Sequence, residues 1–190
     1  MTDQEKPMKH KIMEKMHLHL KKKYQNFYEF LIRINSWWCI LNNLVIKPLT
    51  QKNFSKYGRI LFPTKEDVVI VHNSSMTCLV LEKIISNGYL MSYYSLKRRS
   101  TNSMENHPNT KEAFEPICGA SIIVVAYGPK PEKLEAFVLD KPIVVYESVW
   151  HTIITLSQIV TMRIIENTEV QSIRQKLPYT IKAELCIKEG

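Results

Sequence analysis

The chain has 190 residues, of which 45% are hydrophobic and 23% charged, and its formal net charge is +8. This length suits one domain with a sizeable core, and the composition is that of an ordinary soluble protein. Only 5 glycines occur, and neither GxGxxG nor GxxxxGK[ST] is present. The composition and the missing motifs together exclude the common nucleotide-binding loops.

The N-terminal segment, residues 1–43, is predicted to be a basic helical extension. Between Met8 and Ile34, apolar residues recur at spacings of three and four, which indicates a helix with one apolar stripe. Residues 1–33 carry half of the net charge, but short charge runs usually form solvated faces. We therefore expect neither nucleic-acid binding nor membrane contact by this helix. A basic protein that binds nucleic acid or a membrane surface is the weakest alternative.

The cysteines and the first apolar run indicate in which cellular compartment the protein is expected. The four cysteines are far apart and form no CxxC pair, which argues against a zinc knuckle or a thioredoxin-like motif. The N-terminal segment is polar and does not resemble a secretory signal, and the apolar run 37–46 is too short to span a bilayer. These features predict a cytoplasmic protein with reduced thiols.

From Leu44 onward, short β-rich runs replace the helical pattern. Thr50 is predicted to cap a short helix that ends before Gly58. Asn87-Gly88 is a hairpin turn signal, and Leu177-Pro178-Tyr179 would stop a helix. Many short strands between frequent turns predict a mainly β barrel or sandwich. The expected strands are 59–62, 68–72, 78–84, 89–96, 121–127, 134–139, 143–149 and 152–165.

The stretch from Glu105 to Gly119 carries the densest set of chemically active side chains. Glu105 and His107 are two residues apart, so on a strand their side chains lie on the same face. Glu112 can return to that face after a bend at Pro108. This set needs a distant partner, and His151 is the candidate.

The spacing of this stretch resembles the first motif of the cupins, H-x-H-x3-4-E-x6-G. Glu105 stands in the place of the first histidine, and His107, Glu112 and Gly119 are in register. His151 falls at the histidine of the second cupin motif, P-x-G-x2-H-x3-N, whose other positions differ here. This resemblance implies a small β-barrel whose mouth holds a metal ion or a polar substrate.

A resemblance to the ureidoglycolate lyase family covers more of the chain, residues 44–167. It rests on four blocks in order, which are Ile46–Gly58, Met104–Pro116, Val124–Phe137 and Val149–His151. They are similar to V-x-P-L-T-x-x-x-F-x-x-Y-G, M-E-R-H-P-x-x-x-Q-x-F-x-P, V-V-V-A…P-x-x-x-L-x-A-F and G-x-W-H-x-P. The resemblance implies a homodimeric cupin-type domain over residues 44–190. Its implied activity is that of an amidine-type carbon-nitrogen lyase, which splits ureidoglycolate into glyoxylate and urea in allantoin (purine) breakdown.

The resemblance and the chemistry together assign roles to the candidate residues. A base must take the hydroxyl proton of the substrate and an acid must protonate the leaving urea nitrogen, which suits His107 and His151, with Glu105 as a third catalytic group. Two imidazoles with carboxylates also suit a first-row divalent ion such as nickel, manganese or zinc. The metal ligands would then be Glu105, His107, Glu112 and His151. The predicted substrate-binding residues are Glu112, Arg98, Lys97 and Trp150.

Four positions depart from the lyase pattern. Asn106 replaces the arginine of the family, Glu112 replaces its glutamine, and Thr152 and Ile153 replace its histidine and proline. Glu112 adds negative charge to a site that must accept a carboxylate. The alternative hypothesis is therefore a catalytically altered cupin, which binds a small carboxylic acid or a partner protein without lyase activity.

Overall fold

The computed structural model describes residues 40–41, 44–63, 67–72, 77–83 and 85–183. The predicted helix over residues 8–34 lies outside the described residues. Contacts divide the chain into two compact units, one of residues 34–60 with 84–190 and one of residues 1–33 with 61–83. The division of the chain into an extension (1–43) and a cupin-like domain (44–190) stays a prediction. In the described residues, no helix is long and apolar enough to cross a membrane.

The larger unit consists almost entirely of strands. Its first part holds one short helix, α1 (Gln51–Phe54), which Thr50 caps by accepting a hydrogen bond from the Asn53 amide. The strands of this part are β1 (Ile40–Leu41), β2 (Leu44–Lys47) and β3 (Gly58–Ile60). The second part contributes β6 (Tyr89–Leu96), β7 (Ser100–Asn106), β8 (Glu112–Cys118), β9 (Ser121–Ala126), β10 (Glu135–Val138), β11 (Ile143–Val145), β12 (Trp150–Thr155), β13 (Val160–Asn167) and β14 (Ile173–Lys182). The smaller unit, in its described residues, holds the antiparallel pair β4 (Val68–His72) and β5 (Thr77–Val80).

The strand order of the larger unit is that of a jelly roll. One sheet has the order β1-β2-β10-β9-β12-β7-β14 and the other has the order β3-β11-β8-β13-β6. Eight consecutive strands thus form two antiparallel sets, β7-β12-β9-β10 and β6-β13-β8-β11. Two interlocked Greek keys of this kind make the double-stranded β-barrel of the cupins. The predicted mainly β, cupin-type fold is confirmed.

The core is built around β9 and β12, in which every residue is buried. Phe54 and Tyr57, after the capped turn of α1, pack against Phe137 of β10, and the Phe54 and Phe137 rings meet edge to face at 5.4 Å. Gly58 is required at the start of β3, because a Cβ there would collide with the Val144 carbonyl oxygen. The apolar runs in the sequence therefore mark the central strands of the barrel, which are covered on both faces.

Two local predictions differ from the structure. The expected strand 152–165 is two strands, because the chain leaves one sheet at Leu156 and enters the other at Val160; the turn is held by hydrogen bonds to Ala120. Asn87-Gly88 does not close a hairpin, since β5 pairs with β4 and β6 with β13. The segment with Pro178, in which no helix was expected to continue, is part of β14, where the register against β7 shifts between Lys176 and Ile181. Proline is tolerated there because β14 is an edge strand.

Candidate active site

The candidate residues come together at one end of the barrel because two facing sheets supply them. Glu105 lies near the end of β7, His107 follows that strand directly, and His151 on β12 is the register partner of Glu105. The chain then turns and crosses to the other sheet, where Glu112 begins β8. Glu112 therefore reaches the cluster from the opposite sheet. Its spacing had instead suggested that it lies on the same strand face as Glu105 and His107.

Glu112 lies between the two imidazoles. Its Oε2 atom is 2.9 Å from His151 Nε2 and 3.4 Å from His107 Nε2, and the two rings lie 5.2 Å apart between centroids. All three side chains are at most 8% exposed. A buried carboxylate is thus held against two buried imidazoles, and the structure brings these three candidate residues together.

The outer nitrogen of each imidazole is held by the backbone. His151 Nδ1 lies 3.0 Å from the Val149 carbonyl oxygen, and His107 Nδ1 lies 3.2 Å from that of Gln171. A carbonyl only accepts, so both Nδ1 atoms carry the proton, and both Nε2 atoms face the barrel interior. Metal-binding histidines commonly have this arrangement, in which a backbone carbonyl fixes the tautomer and the ring orientation.

The inner atoms of the cluster lie close together without a hydrogen-bond partner. His151 Nε2 and Glu112 Oε2 are 2.9 Å apart, both are fully buried, and neither has a hydrogen-bond partner among the described residues. Buried polar atoms are nearly always satisfied, so a pair of this kind is typical of a site that binds an ion, water or a ligand. When the imidazole is neutral, its Nε2 lone pair and those of the carboxylate are available to a third species.

The charges of the three groups depend on one another. Burial alone would lower the pKa of both imidazoles, but the Glu112 carboxylate outweighs burial and raises the pKa of His107 and of His151. Burial would raise the pKa of Glu112, but contact with the two imidazoles lowers it to about 2. Without an ion, the carboxylate is therefore ionised at neutral pH and favours protonated imidazoles.

The cluster forms one wall of a cavity of about 380 Å³. Arg98, which follows β6, lines the same cavity and donates through Nη2 to Thr152 Oγ1 (3.0 Å) and through Nε and Nη2 to the Ile153 carbonyl (3.3 and 3.0 Å). Lys97, the neighbour of Arg98, is not among the lining residues. Trp150 is buried and donates through Nε1 to the Gly128 carbonyl at 3.0 Å, and it too is not among the lining residues. The structure thus brings Arg98 to the cluster, but not Lys97 or Trp150.

The sequence model of the ureidoglycolate lyase family matches residues 41–181, about three quarters of the chain. The chain belongs to the ureidoglycolate lyase family. No curated protein shows a significant match. Among solved structures, an oxalate decarboxylase of Bacillus subtilis with Mn(II) centres aligns at 13% identity and a TM-score of 0.38, over 45% of this chain and 23% of its own. The TDP-quinovose 3,4-ketoisomerase WlaRB of Campylobacter jejuni aligns at 11% identity and a TM-score of 0.37, over 63% of this chain and 94% of its own.

Two charged residues of this ureidoglycolate lyase family member were missed by the sequence reasoning. Glu166 of β13 and Arg174 of β14 both line the cavity. Period-two alternation could have found Glu166, because Val160, Met162 and Ile164 of the same strand point into the barrel. Arg174 had no local signal, since only the pairing of β14 with β7 brings it to the site.

The cavity has the donor atoms for a divalent ion. Ligand atoms of Glu105, His107 and His151 lie within 4.8 Å of one another, and so do those of His107, Glu112 and Glu166. Two imidazole nitrogens and carboxylate oxygens suit manganese, nickel or zinc, and carboxylates favour manganese among the three. The buried, unpaired inner atoms of His151 and Glu112 fit the same conclusion.

Proposed function

We propose that this protein cleaves ureidoglycolate into glyoxylate and urea, an amidine-type carbon-nitrogen lyase reaction of allantoin breakdown. The family match over residues 41–181 supports the reaction class. The observation that carries the proposal is the convergence of His107, Glu112 and His151 in a cavity that Arg98 also lines. This cavity combines groups for proton transfer or metal binding with a cation for a small anionic substrate.

A divalent ion would be held by Glu105, His107, Glu112 and His151. When bound, it would act as a Lewis acid toward oxygen atoms of the substrate. It would also reduce the repulsion between the acidic cavity and an anion, because Glu105, Glu112 and Glu166 together outnumber the arginines Arg98 and Arg174. Glu112, which stands where the family pattern has glutamine, would then increase the affinity of the site for the ion.

Arg98 is proposed to orient the carboxylate of the substrate. Its Nε and Nη2 atoms are fixed by the Thr152 hydroxyl and the Ile153 carbonyl, so the guanidinium is held in place before the substrate arrives. A pre-ordered donor loses little entropy on binding and gives charge-assisted hydrogen bonds to a carboxylate. Thr152, a departure from the family pattern, here serves as the anchor of this cation.

Proton transfer requires a base for the hydroxyl group and an acid for the departing nitrogen. In the metal-free protein, the two imidazoles can exchange protons at Nε2, since Nδ1 is occupied by backbone carbonyls. His107 and His151 would hold a divalent ion through Nε2, which would leave the carboxyl group of Glu166 on the facing strand to carry a proton. Glu166 reaches the cavity beside the same cluster.

The test is a turnover assay on the purified protein. It is stripped of metal with chelator and incubated with ureidoglycolate, alone and with Mn²⁺, Ni²⁺ or Zn²⁺, and the glyoxylate formed is measured. Turnover with at least one ion, and its loss in His151→Ala, are expected. A matched control is Arg163→Gln, which alters an exposed ion pair with Glu115 away from the cavity. Absence of turnover under all four conditions refutes the proposal.

The second candidate is a cupin that binds a small carboxylic acid without cleaving it. Glu112 favours it, because a buried carboxylate stands in the place of the neutral glutamine of the family. Binding of glyoxylate by calorimetry in the absence of any turnover would distinguish this function from the first. The implied homodimer is part of the first proposal, and light scattering after size-exclusion chromatography tests it separately.

A further inference from the structure

Arg174 and Glu105 form a loose ion pair at the mouth of the cavity. Strand β14 pairs with β7 at the edge of the larger sheet, and this register places Arg174 directly opposite Glu105. Arg174 Nη2 lies 3.4 Å from Glu105 Oε2, while the Arg174 side chain is 78% exposed. A contact of that length and exposure is worth little energy, so other partners can replace it.

Glu105 also belongs to the inner cluster. Its carboxylate is within 4.8 Å of ligand atoms of His107 and His151. The same carboxylate can therefore neutralise either the guanidinium at the mouth or a cation inside the barrel. A divalent ion and a guanidinium close to one carboxylate repel each other, which makes the two states compete.

We propose that Arg174 and a divalent ion compete for Glu105, and that ion binding releases Arg174 to bind the carboxylate of the incoming acid. The identity of that acid rests on the proposed function, but the competition itself does not. Arg98 offers this carboxylate its Nη1 group, since its Nε and Nη2 atoms already serve Thr152 and Ile153, so a second guanidinium adds contacts that Arg98 does not make. The released guanidinium is a planar fork that matches a carboxylate, and Arg174 already lines the cavity.

The first experiment measures ion affinity by calorimetry on the metal-free full-length protein. Arg174→Gln removes the competitor, so Mn²⁺ is expected to bind about two- to five-fold tighter, the range that an exposed ion pair supplies. In a Glu105→Gln background, Arg174→Gln should give no gain, because the competition passes through Glu105. Arg163→Gln removes an arginine from another strand pair and should leave Mn²⁺ affinity unchanged.

Two results overturn the competition. Unchanged or weaker Mn²⁺ binding in Arg174→Gln shows that the guanidinium does not oppose the ion. An equal gain in the Glu105→Gln background shows simple charge repulsion through space. Failure of the wild type to bind Mn²⁺, Ni²⁺ or Zn²⁺ overturns the proposal as well, while lyase activity is decided independently by the turnover assay, which includes an ion-free condition.

The second experiment measures glyoxylate binding. In the Mn²⁺-loaded protein, Arg174→Gln is expected to weaken glyoxylate binding about ten-fold, the effect of losing one charge-assisted contact, and Arg174→Lys should restore part of it. In the metal-free protein, the same substitution should change glyoxylate affinity little, because Arg174 is then held by Glu105. One substitution thus has opposite effects on the ion and on the acid. An equal loss of glyoxylate affinity with and without Mn²⁺, or no loss in either state, refutes the release of Arg174.

Discussion

Replacing Glu112 by glutamine tests whether the buried carboxylate and the two imidazoles act as one charged unit. The change is nearly isosteric, so it removes the negative charge and keeps the volume of the side chain. Contact with His107 and His151 lowers the Glu112 pKa from 4.5 to about 2. At about 1.4 kcal/mol per pKa unit, this net shift stabilises the metal-free protein by about 3 kcal/mol, after the opposing effect of burial.

The sign of the pH dependence follows from both partners. The lowered pKa of Glu112 contributes stability that is present above pH 4.5 and is lost as the pH falls toward 2. The raised pKa values of His107 and His151 contribute stability that is present below pH 6.5 and is lost as the pH rises through the folded-state values. The free energy lost in Glu112→Gln should therefore be largest between about pH 4.5 and 6.5 and smaller on both sides.

Urea denaturation of chelator-treated protein, followed by tryptophan fluorescence from pH 4 to 9, measures this difference. The control is Glu115→Gln on the same strand, whose partner is the half-exposed Arg163 at 2.6 Å. Glu115→Gln should lower the free energy of unfolding by less than about 1 kcal/mol, as for other exposed pairs, and this loss should show no maximum near pH 5.5. A loss in Glu112→Gln that is constant from pH 4 to 9 would show a packing defect and refute the charge coupling.

Three further predictions concern metal binding, substrate binding and the fold. Mn²⁺ binding at pH 7 should release protons, because Glu112 raises the pKa of His107 and His151. Calorimetry in two buffers of different ionisation enthalpy measures the number of protons released, and identical binding heats in both buffers would contradict this prediction. Thr152→Val removes one anchor of Arg98 and should raise KM a few-fold with little change in kcat, and a loss confined to kcat would count against the Arg98 role. Gly58→Ala should lower the free energy of unfolding in urea by about 1–3 kcal/mol, because its Cβ would collide with the Val144 carbonyl. The control is Gly88→Ala, whose Cβ would meet only the Thr168 side chain, and equal losses in the two variants would refute the role of the Gly58 contact.

Much of the fold followed from local pattern. The Thr50 cap, the strand 89–96 and the buried run of β9 were predicted at or near their observed bounds. The pairing of the strands was not predicted, and Asn87-Gly88 shows why. A turn signal indicates how the backbone bends but not which strands pair with each other. The neighbour of β6 is β13, about seventy residues later in the chain, and such long-range pairing leaves no local trace.

The sequence by itself determined the type of site. The spacing of Glu105, His107 and Glu112 indicated three candidate groups, because residue type and order are local properties, and the family resemblance added His151 as their distant partner. Only the tertiary structure decided that Glu112 comes from the facing sheet, that Arg98 is fixed by β12, and that Arg174 reaches the cavity. Those features depend on which strands lie side by side, and the burial energy of the whole barrel decides that.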